Sequence, residues 1–223
     1  MDTIVPESAQ DLCDAVADAL RERTRLEIRG GGSKAAIGAP RDARIVSMAA
    51  LTGVVDYDPA ELVLTVRAGT PLAEVEALVA GEQQMLAFEP FDHGPLFGAP
   101  AGAATIGGVV AAGVAGSRRV TAGSARDHLL GFTAVSGRGE TFVAGARVVK
   151  NVTGYDLPKL MAGSWGRIGA MTELTLKVLP RPRMAVTLAI EGLDCRAAHA
   201  AMARALGSHA DVSAAAHVPQ GPD

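Results

Sequence analysis

A short β-rich run, Leu26 to Ile28, leads without a break into Arg29-Gly30-Gly31-Gly32-Ser33-Lys34. Three consecutive residues without side chains let the backbone approach a ligand closely, and successive N–H groups in such a turn form an anion-binding concavity. Ser33 adds a hydroxyl donor and Lys34 a positive charge. A plain flexible turn is the competing reading, and a glycine triplet taken alone favours it. Two familiar phosphate loops do not fit. A Walker loop needs Gly-Lys-Ser/Thr, whereas Lys34 follows Ser33 and precedes Ala35. A Rossmann turn needs G-x-G-x-x-G opening a helix, whereas Gly38-Ala39-Pro40-Arg41-Asp42 reads as a loop before another strand.

The glycines of this chain cluster at 30 to 32, 107 to 116 and 137 to 145 and do not recur with a period, which excludes collagen-like and linker character. In the second cluster Thr105-Ile106-Gly107-Gly108, followed by Gly113 and Gly116, heads an Ala/Gly/Val helix whose macrodipole would favour an anion. Two cradles suit a dinucleotide better than one. Close packing of a small-residue helix on a sheet is the alternative, and it can hold at the same time for Ala111 and Ala112.

Any such anion must be held locally. With 21 basic and 24 acidic side chains the formal charge is -3, so no overall field draws the chain to nucleic acid or acidic lipid. A length of 223 residues, 48% of them hydrophobic, suits one large domain or two small ones. Cys13 and Cys195 have no CxxC or Cys/His spacing, so a metal site is not expected and a reduced cytosolic interior is. The longest apolar run, Ala103 to Gly116, falls well short of the roughly 20 residues that span a bilayer. Met1 to Pro6 has no basic segment leading into an apolar one, so no secretory signal is expected either.

Periodicity supplies the elements. Leu12, Val16 and Leu20 predict an amphipathic helix after Pro6 and Ser8. Ile45 to Met48, Val54 to Tyr57 and Leu62 to Ala68 read as strands, the last two parted by Asp58-Pro59. Thr70-Pro71 opens a helix that buries Leu72, Val75 and Val79 and ends at Gly81. Met85 to Phe88 is a short strand. A hairpin joins Leu129–Ser136 to Glu140–Ala144 around Gly137-Arg138-Gly139. Asp156 to Ala162 is a brief helix stopped by Gly163, and alternation from Thr172 to Val178 predicts a half-buried strand. Beyond Pro180-Arg181-Pro182, a strand over Ala185 to Ile190, a helix over Ala197 to Leu206 and a strand near Val212 are expected.

Five segments stand in one order: RGGGSK, TVRAGTPL, TIGGVVAAGVAG, SARDHLLG and KNVTGYDLPKLMAGSWGRIGAMTELTLKVLP. Over about residues 5 to 183 the chain resembles the FAD-binding domain of the vanillyl-alcohol oxidase and p-cresol methylhydroxylase family. Within it the likeness is to the smaller flavin-binding subunits of bacterial glycolate oxidases. The resemblance implies an α+β fold of two α/β lobes, residues 1–95 and 96–183, with FAD between them. It also implies that residues 184–223 begin a cap domain that is incomplete here, since a cap normally needs well over a hundred residues.

Carried over residue by residue, the resemblance implies the following cofactor contacts. Arg29, Gly30, Gly31, Gly32, Ser33 and Lys34 match the diphosphate turn, and Glu89 and Pro90, with the loop to Gly94, match the stretch beside the flavin. Thr105, Ile106, Gly107, Gly108, Gly113 and Gly116 match the second cradle. Ser124, Arg126 and Asp127 match the element beneath the cofactor, and Ile168, Gly169 and Met171 the closure over the nucleotide end. Where some members attach the flavin through a histidine, this chain has Ser33, which implies noncovalent FAD. His93 stands near the implied flavin contacts, with a plain loop histidine as the blander reading. Lys150 to Asp156 resembles the glycolate oxidase group in particular, and a purely structural role is favoured for it. Trp165 stacks on adenine or, more commonly for such a residue, fills the core. No catalytic base is identified.

The implied function is that of an FAD-binding subunit of a complex that oxidises a 2-hydroxy acid, glycolate or D-lactate, to a 2-oxo acid. Electrons would pass through FAD to an iron–sulfur subunit, beside a second flavin subunit, since two cysteines cannot hold such a cluster. A flavin-binding structural or electron-relay subunit without turnover of its own is the alternative. A nucleotide-sugar reductase of the same fold fits the KNVTGYD stretch less well. The implied location is the cytoplasm, at the inner membrane only through partners.

Overall fold

The computed structural model describes residues 3–39, 42–145 and 154–219. Its first helix, α1 (Ala9–Glu22), starts where Ser8 and Asp11 form a reciprocal capping box, which satisfies two N–H groups that the first turn leaves without partners. It buries Leu12, Cys13, Ala15, Val16 and Ala19, while Leu20 is 56% exposed. At about 100° per residue, position 20 lies about 80° around the helix from position 12 and position 19 only about 20°. The apolar stripe therefore ends on Ala19 and not on the expected Leu20.

Strands β1 (Leu26–Arg29) and β2 (Arg44–Ser47) pair in parallel, and Ile4 bridges to Val46. Then β3 (Val54–Asp58) and β4 (Val63–Arg67) form a hairpin. Helix α2 (Leu72–Gly81) buries Leu72, Val75 and Val79 as the spacing predicts. The Thr70 hydroxyl does not cap it; it donates to Arg67 O and accepts from Gly53 N, tying the turn to the preceding strands. Strand β5 (Gln84–Met85) is shorter than expected, and the buried Leu86, Ala87 and Phe88 continue outside it.

After a loop come α3 (Ile106–Ala112), α4 (Arg119–Ala122), α5 (Ala125–His128) and the hairpin of β6 (Leu129–Ser136) with β7 (Thr141–Gly145). Helix α6 (Leu157–Met161) is capped by Asp156, which accepts from Lys159 N, as its sequence suggests. The chain continues through β8 (Gly169–Lys177), β9 (Leu179–Pro180) and α7 (Cys195–Leu206).

The large sheet is antiparallel throughout, in the order β3-β4-β8-β6-β7. Residues from both sides of position 95 build it. Its centre is β8, whose Thr172, Leu174 and Leu176 are buried and alternate with partly exposed Glu173, Thr175 and Lys177. One core packs Leu64, Val66, Leu174 and Leu176 of the sheet against α2 and α3. A second packs Leu12 and Val16 of α1 with Val46, Met48, Val135 and Ala170. The α+β class is as expected.

The tail differs. Residues 185–190 and the surroundings of Val212 are not strands, and Met184, Val186, Leu188 and Ile190 are 68% to 86% exposed. Alternation marks a segment able to pair, but a strand exists only beside a partner, and none of the described residues offers one there. No described helix is long and apolar enough to cross a membrane.

Candidate cofactor site

Strand β1 carries the glycine turn out of the small parallel sheet, and each glycine answers a different demand. A Cβ on Gly30 would fall on the Thr105 hydroxyl and 3.2 Å from the Thr105 Cβ. One on Gly31 would fall on the Ala103 carbonyl, 2.6 Å from its carbon. Gly32 has open space around it but a φ of +77°, where side chains are strained. The turn and the segment 103–108 are thus in backbone contact, so the two glycine clusters form one place.

The N–H groups differ sharply between the two clusters. Among the described residues, those of Gly31, Gly32, Ser33 and Lys34 have no protein acceptor, which leaves a concavity of free donors. At the start of α3 they are already used: Ile106 N donates to Thr70 O at 3.0 Å, Gly107 N to Ala68 O at 2.9 Å and Gly108 N to the Thr105 hydroxyl at 3.2 Å. The expected anion cradle at this helix terminus therefore has no donors to spare. Gly107 is a glycine because a Cβ would lie 2.7 Å from the Cβ and carbonyl oxygen of Ala68. Close packing, the competing reading of this stretch, holds here.

One cavity of about 340 Å³ opens between these segments. Gly30, Gly32, Ser33, Lys34, Gly107 and Gly108 form its polar side, and Ile28, Ile37, Met48, Ala111, Ala112 and Met171 its apolar side. Trp165, Gly166 and Gly169 close one end. Trp165 adopts φ +56°, held by a 2.8 Å bond from its N–H to Ala111 O, so its ring borders the cavity at 39% exposure instead of filling the core. Gly166 is packed against Ile28, whose Cβ a side chain would meet at 3.1 Å.

Electrostatics single out Lys34. Burial pushes its ammonium below the ordinary lysine range, and the nearby charge of Asp92 offsets this only in part. Its polar neighbour is the Ser33 hydroxyl at 3.4 Å. A desolvated cation facing free N–H groups fits a diphosphate. Arg29 fits less well, because its Nε donates to Glu27 Oε1 at 2.7 Å and its charge is spent within the strand.

Other expected contacts lie elsewhere. Ile106 is fully buried in the core, and Gly113 ends α3 in a left-handed conformation facing Gly163. Gly116 packs beneath Glu89, whose Oε2 accepts from Arg118 N at 2.9 Å. Neither Gly113, Gly116, Glu89 nor Pro90 lines the cavity. Ser124 and Asp127 cap α5, and the Ser124 N–H is the main cause that holds the Asp127 carboxyl below the usual carboxylate range. The Arg126 guanidinium donates to Lys159 O, and buried His128 sits between the carbonyls of Ala122 and Lys177. These residues brace α5 against α6 and β8. Ile168 is exposed and does not line the cavity. His93 stacks on Phe91 at 4.4 Å. Of the KNVTGYD stretch, Lys150 to Thr153 lies outside the described residues.

Sequence reasoning passed over Asp92. Its carboxylate accepts from Gly94 N and Gly102 N, both at 2.8 Å, and staples the loop that presses Ala103 onto Gly31. An Asp two residues before a Gly was the available signal. Ala36, Ile37 and Met48 of the apolar wall carry no local signal at all.

Comparison with known proteins places this geometry. A model described as an FAD binding domain matches residues 3–145. The chain is 44% identical over 180 residues to the glycolate oxidase subunit GlcE of Escherichia coli (strain K12), covering 81% of this chain and 49% of that protein. It is 36% identical over 146 residues to a D-lactate dehydrogenase of Anaerostipes hadrus, covering 66% of this chain and 29% of that one. The chain thus spans about half the length of the first relative and less of the second. Among solved structures, an alkyldihydroxyacetonephosphate synthase superposes with a TM-score of 0.65 at 22% identity, over 82% of this chain and 32% of that one.

Proposed function

Because this chain belongs to the FAD-binding domain family, we propose that its cavity holds FAD noncovalently in a subunit of an enzyme that oxidises a small 2-hydroxy acid. The observation that carries the reading is the free-donor turn with desolvated Lys34, set against the side-chain-free face of Gly107 and Gly108. Gly31 to Lys34 donate to the diphosphate, and Lys34 balances its charge. Trp165, Gly169 and Met171 enclose the nucleotide end. FAD, when bound, supplies the two-electron acceptor for a substrate C–H bond. The chain binds and orients it and keeps water from its diphosphate.

The 2-hydroxy acid assignment draws on relatives named for glycolate oxidase and D-lactate dehydrogenase. Two isolated cysteines, Cys13 and Cys195, give these 223 residues no iron–sulfur site, and the reading has FAD pass its electrons to an iron–sulfur subunit beside a second flavin subunit. Attachment of the complex to a membrane runs through those partners. Ser33, in place of a histidine, leaves no imidazole to form a covalent link at the turn.

Titration of the purified chain with FAD tests the cavity: saturable quenching of flavin fluorescence is expected. Acid precipitation should release all yellow colour to the supernatant, and colour kept in the pellet would contradict noncovalent binding. Anaerobic glycolate or D-lactate, added to the assembled complex, should bleach the flavin band. An unchanged spectrum with both acids would leave a relay subunit as the correct reading.

A further inference from the structure

The segment from Arg183 to Glu191 lies outside every described strand and helix. Met184, Val186, Leu188 and Ile190 alternate there with Ala185, Thr187 and Ala189, and all seven are exposed. Among the described residues, no backbone N–H or C=O from 183 to 191 has a hydrogen-bond partner in the chain. A row of free backbone groups with one apolar side is a template for pairing, and it takes up whatever strand of matching chemistry is brought beside it.

The strand that matches is the segment itself. Arg183-Met184-Ala185-Val186-Thr187-Leu188-Ala189-Ile190-Glu191 has complementary chemistry when read from its two ends. In two copies set antiparallel about Thr187, Met184 stands opposite Ile190, Val186 opposite Leu188 and Ala185 opposite Ala189. Arg183 then faces Glu191 at both ends, and neither residue has an ion pair among the described residues of one copy. All the large apolar side chains fall on one face of such a ribbon, and the alanines, threonines and charge pairs on the other. Other registers lose this match. A slip of one residue sends the two apolar sets to opposite faces. A slip of two brings Pro182 or Gly192 into the ladder and leaves Arg183 opposite Ala189 or Leu193. A parallel pair in register sets like charges side by side.

A two-stranded ribbon also needs cover for its apolar face. Each copy carries a helix close by. Asp194 caps α7 by accepting from Ala197 N, and of the apolar residues of α7 only Ala198 is buried, while Leu206 is 41% exposed. Gly192, at φ +74° with open space around it, joins the segment to that helix.

We propose that residues 183–191 are a self-pairing surface. Two copies of the chain join there in an antiparallel ribbon centred on Thr187 and closed by two Arg183–Glu191 pairs, with the α7 helices over its apolar face. The inference goes beyond the cofactor reading and does not depend on it.

Sedimentation equilibrium of the full chain tests it, together with hydrogen–deuterium exchange at several chain concentrations. A dimer is expected, with protection of the amides of 184–190 that rises with the dimer fraction. Arg183→Glu alone and Glu191→Arg alone each set like charges opposite one another at both ends and should weaken the dimer roughly tenfold. An equimolar mixture of these two variants should recover wild-type affinity, because each copy then supplies the charges the other lacks. Val186→Asp with Leu188→Asp, which sets carboxylates opposite one another at the centre, should leave a monomer. Its apo Tm and FAD quenching should match wild type, since the segment lies outside both cores. A wild-type chain that stays monomeric up to about 100 μM overturns the inference. A dimer indifferent to the charge variants and to the paired Asp substitutions does so too, since the copies then meet elsewhere, and a mixture no tighter than either charge variant alone refutes the register. Protection of 184–190 that appears only on adding other subunits would assign the surface to a different chain and overturn pairing between copies.

Discussion

Gly31→Ala tests whether the two glycine clusters are one device. The new Cβ would fall on the Ala103 carbonyl, 2.6 Å from its carbon and 3.2 Å from its Cα. The nearest atom is the Ala103 carbonyl oxygen at 1.5 Å, and since non-bonded atoms pack at about 3.5 Å the two stretches of backbone must part by about 2 Å. Neither side yields easily. Gly31 follows the ladder of β1, and Ala103 is flanked by Gly102, whose N–H is stapled to Asp92, and by Ala104, whose carbonyl accepts from Leu72 N. Overpacking of this kind costs about 1–3 kcal/mol, and backbone on both sides sets it near the upper end. If the strain opens the cradle, about 3 kcal/mol is about a hundredfold in FAD affinity. Gly32→Ala is the internal control: no atom lies within 4 Å, so only the φ of +77° is penalised, by about 1 kcal/mol or roughly fivefold. Fluorescence-quenching titrations of FAD against the three proteins, with thermal melts of the apo forms, read both. Gly31→Ala within threefold of wild type in FAD affinity and in stability, or weaker in effect than Gly32→Ala, would refute the reasoning.

Lys34 should make FAD binding pH-dependent. Its folded value lies below the ordinary 10.5, so between the two the unfolded chain holds more protons and apo stability rises with pH. Bound diphosphate would raise that value, so FAD affinity should fall across the same interval, and Lys34→Met should both weaken binding and flatten this dependence in titrations from neutral to alkaline pH. Asp92 works in the opposite range. Burial opposes its ionisation, but the N–H groups of Gly94, Gly102 and Ala104 and the charge of Lys34 outweigh that and hold it below the ordinary 3.8. A depressed carboxylate stabilises above its unfolded value and loses the effect as pH falls through the folded one, so Asp92→Asn should lower Tm at neutral pH and shrink the acid-side drop seen in melts. Gly107→Ala puts a Cβ 2.7 Å from Ala68 and should cost about 1–3 kcal/mol in a denaturant titration.

Much of the fold is legible because its signals are local. Ser8 and Asp11 lie three residues apart, and so do Asp156 and Lys159, and each pair caps its helix from within one turn. Alternation along β8 is equally self-contained, since successive side chains point to opposite faces whatever their neighbours are. Where a partner decides, local signals fail. The alternating segment 184–190 has the pattern of a strand and, among the described residues, no strand beside it.

The candidate site divides in the same way. Residues 29 to 34 by themselves determine a turn able to bare its backbone, rich in donors and carrying one cation, because glycine's freedom and the lysine charge belong to those residues alone. Only the tertiary structure decides that Gly30 and Gly31 are pressed against Thr105 and Ala103, and that the N–H groups of α3 are consumed by Ala68 and Thr70. It also decides that Arg29 is neutralised by Glu27 while Lys34 is left desolvated. Steric exclusion, hydrogen-bond saturation and burial are properties of pairs of atoms brought together from distant parts of the chain, and no residue carries them until the chain has closed around it.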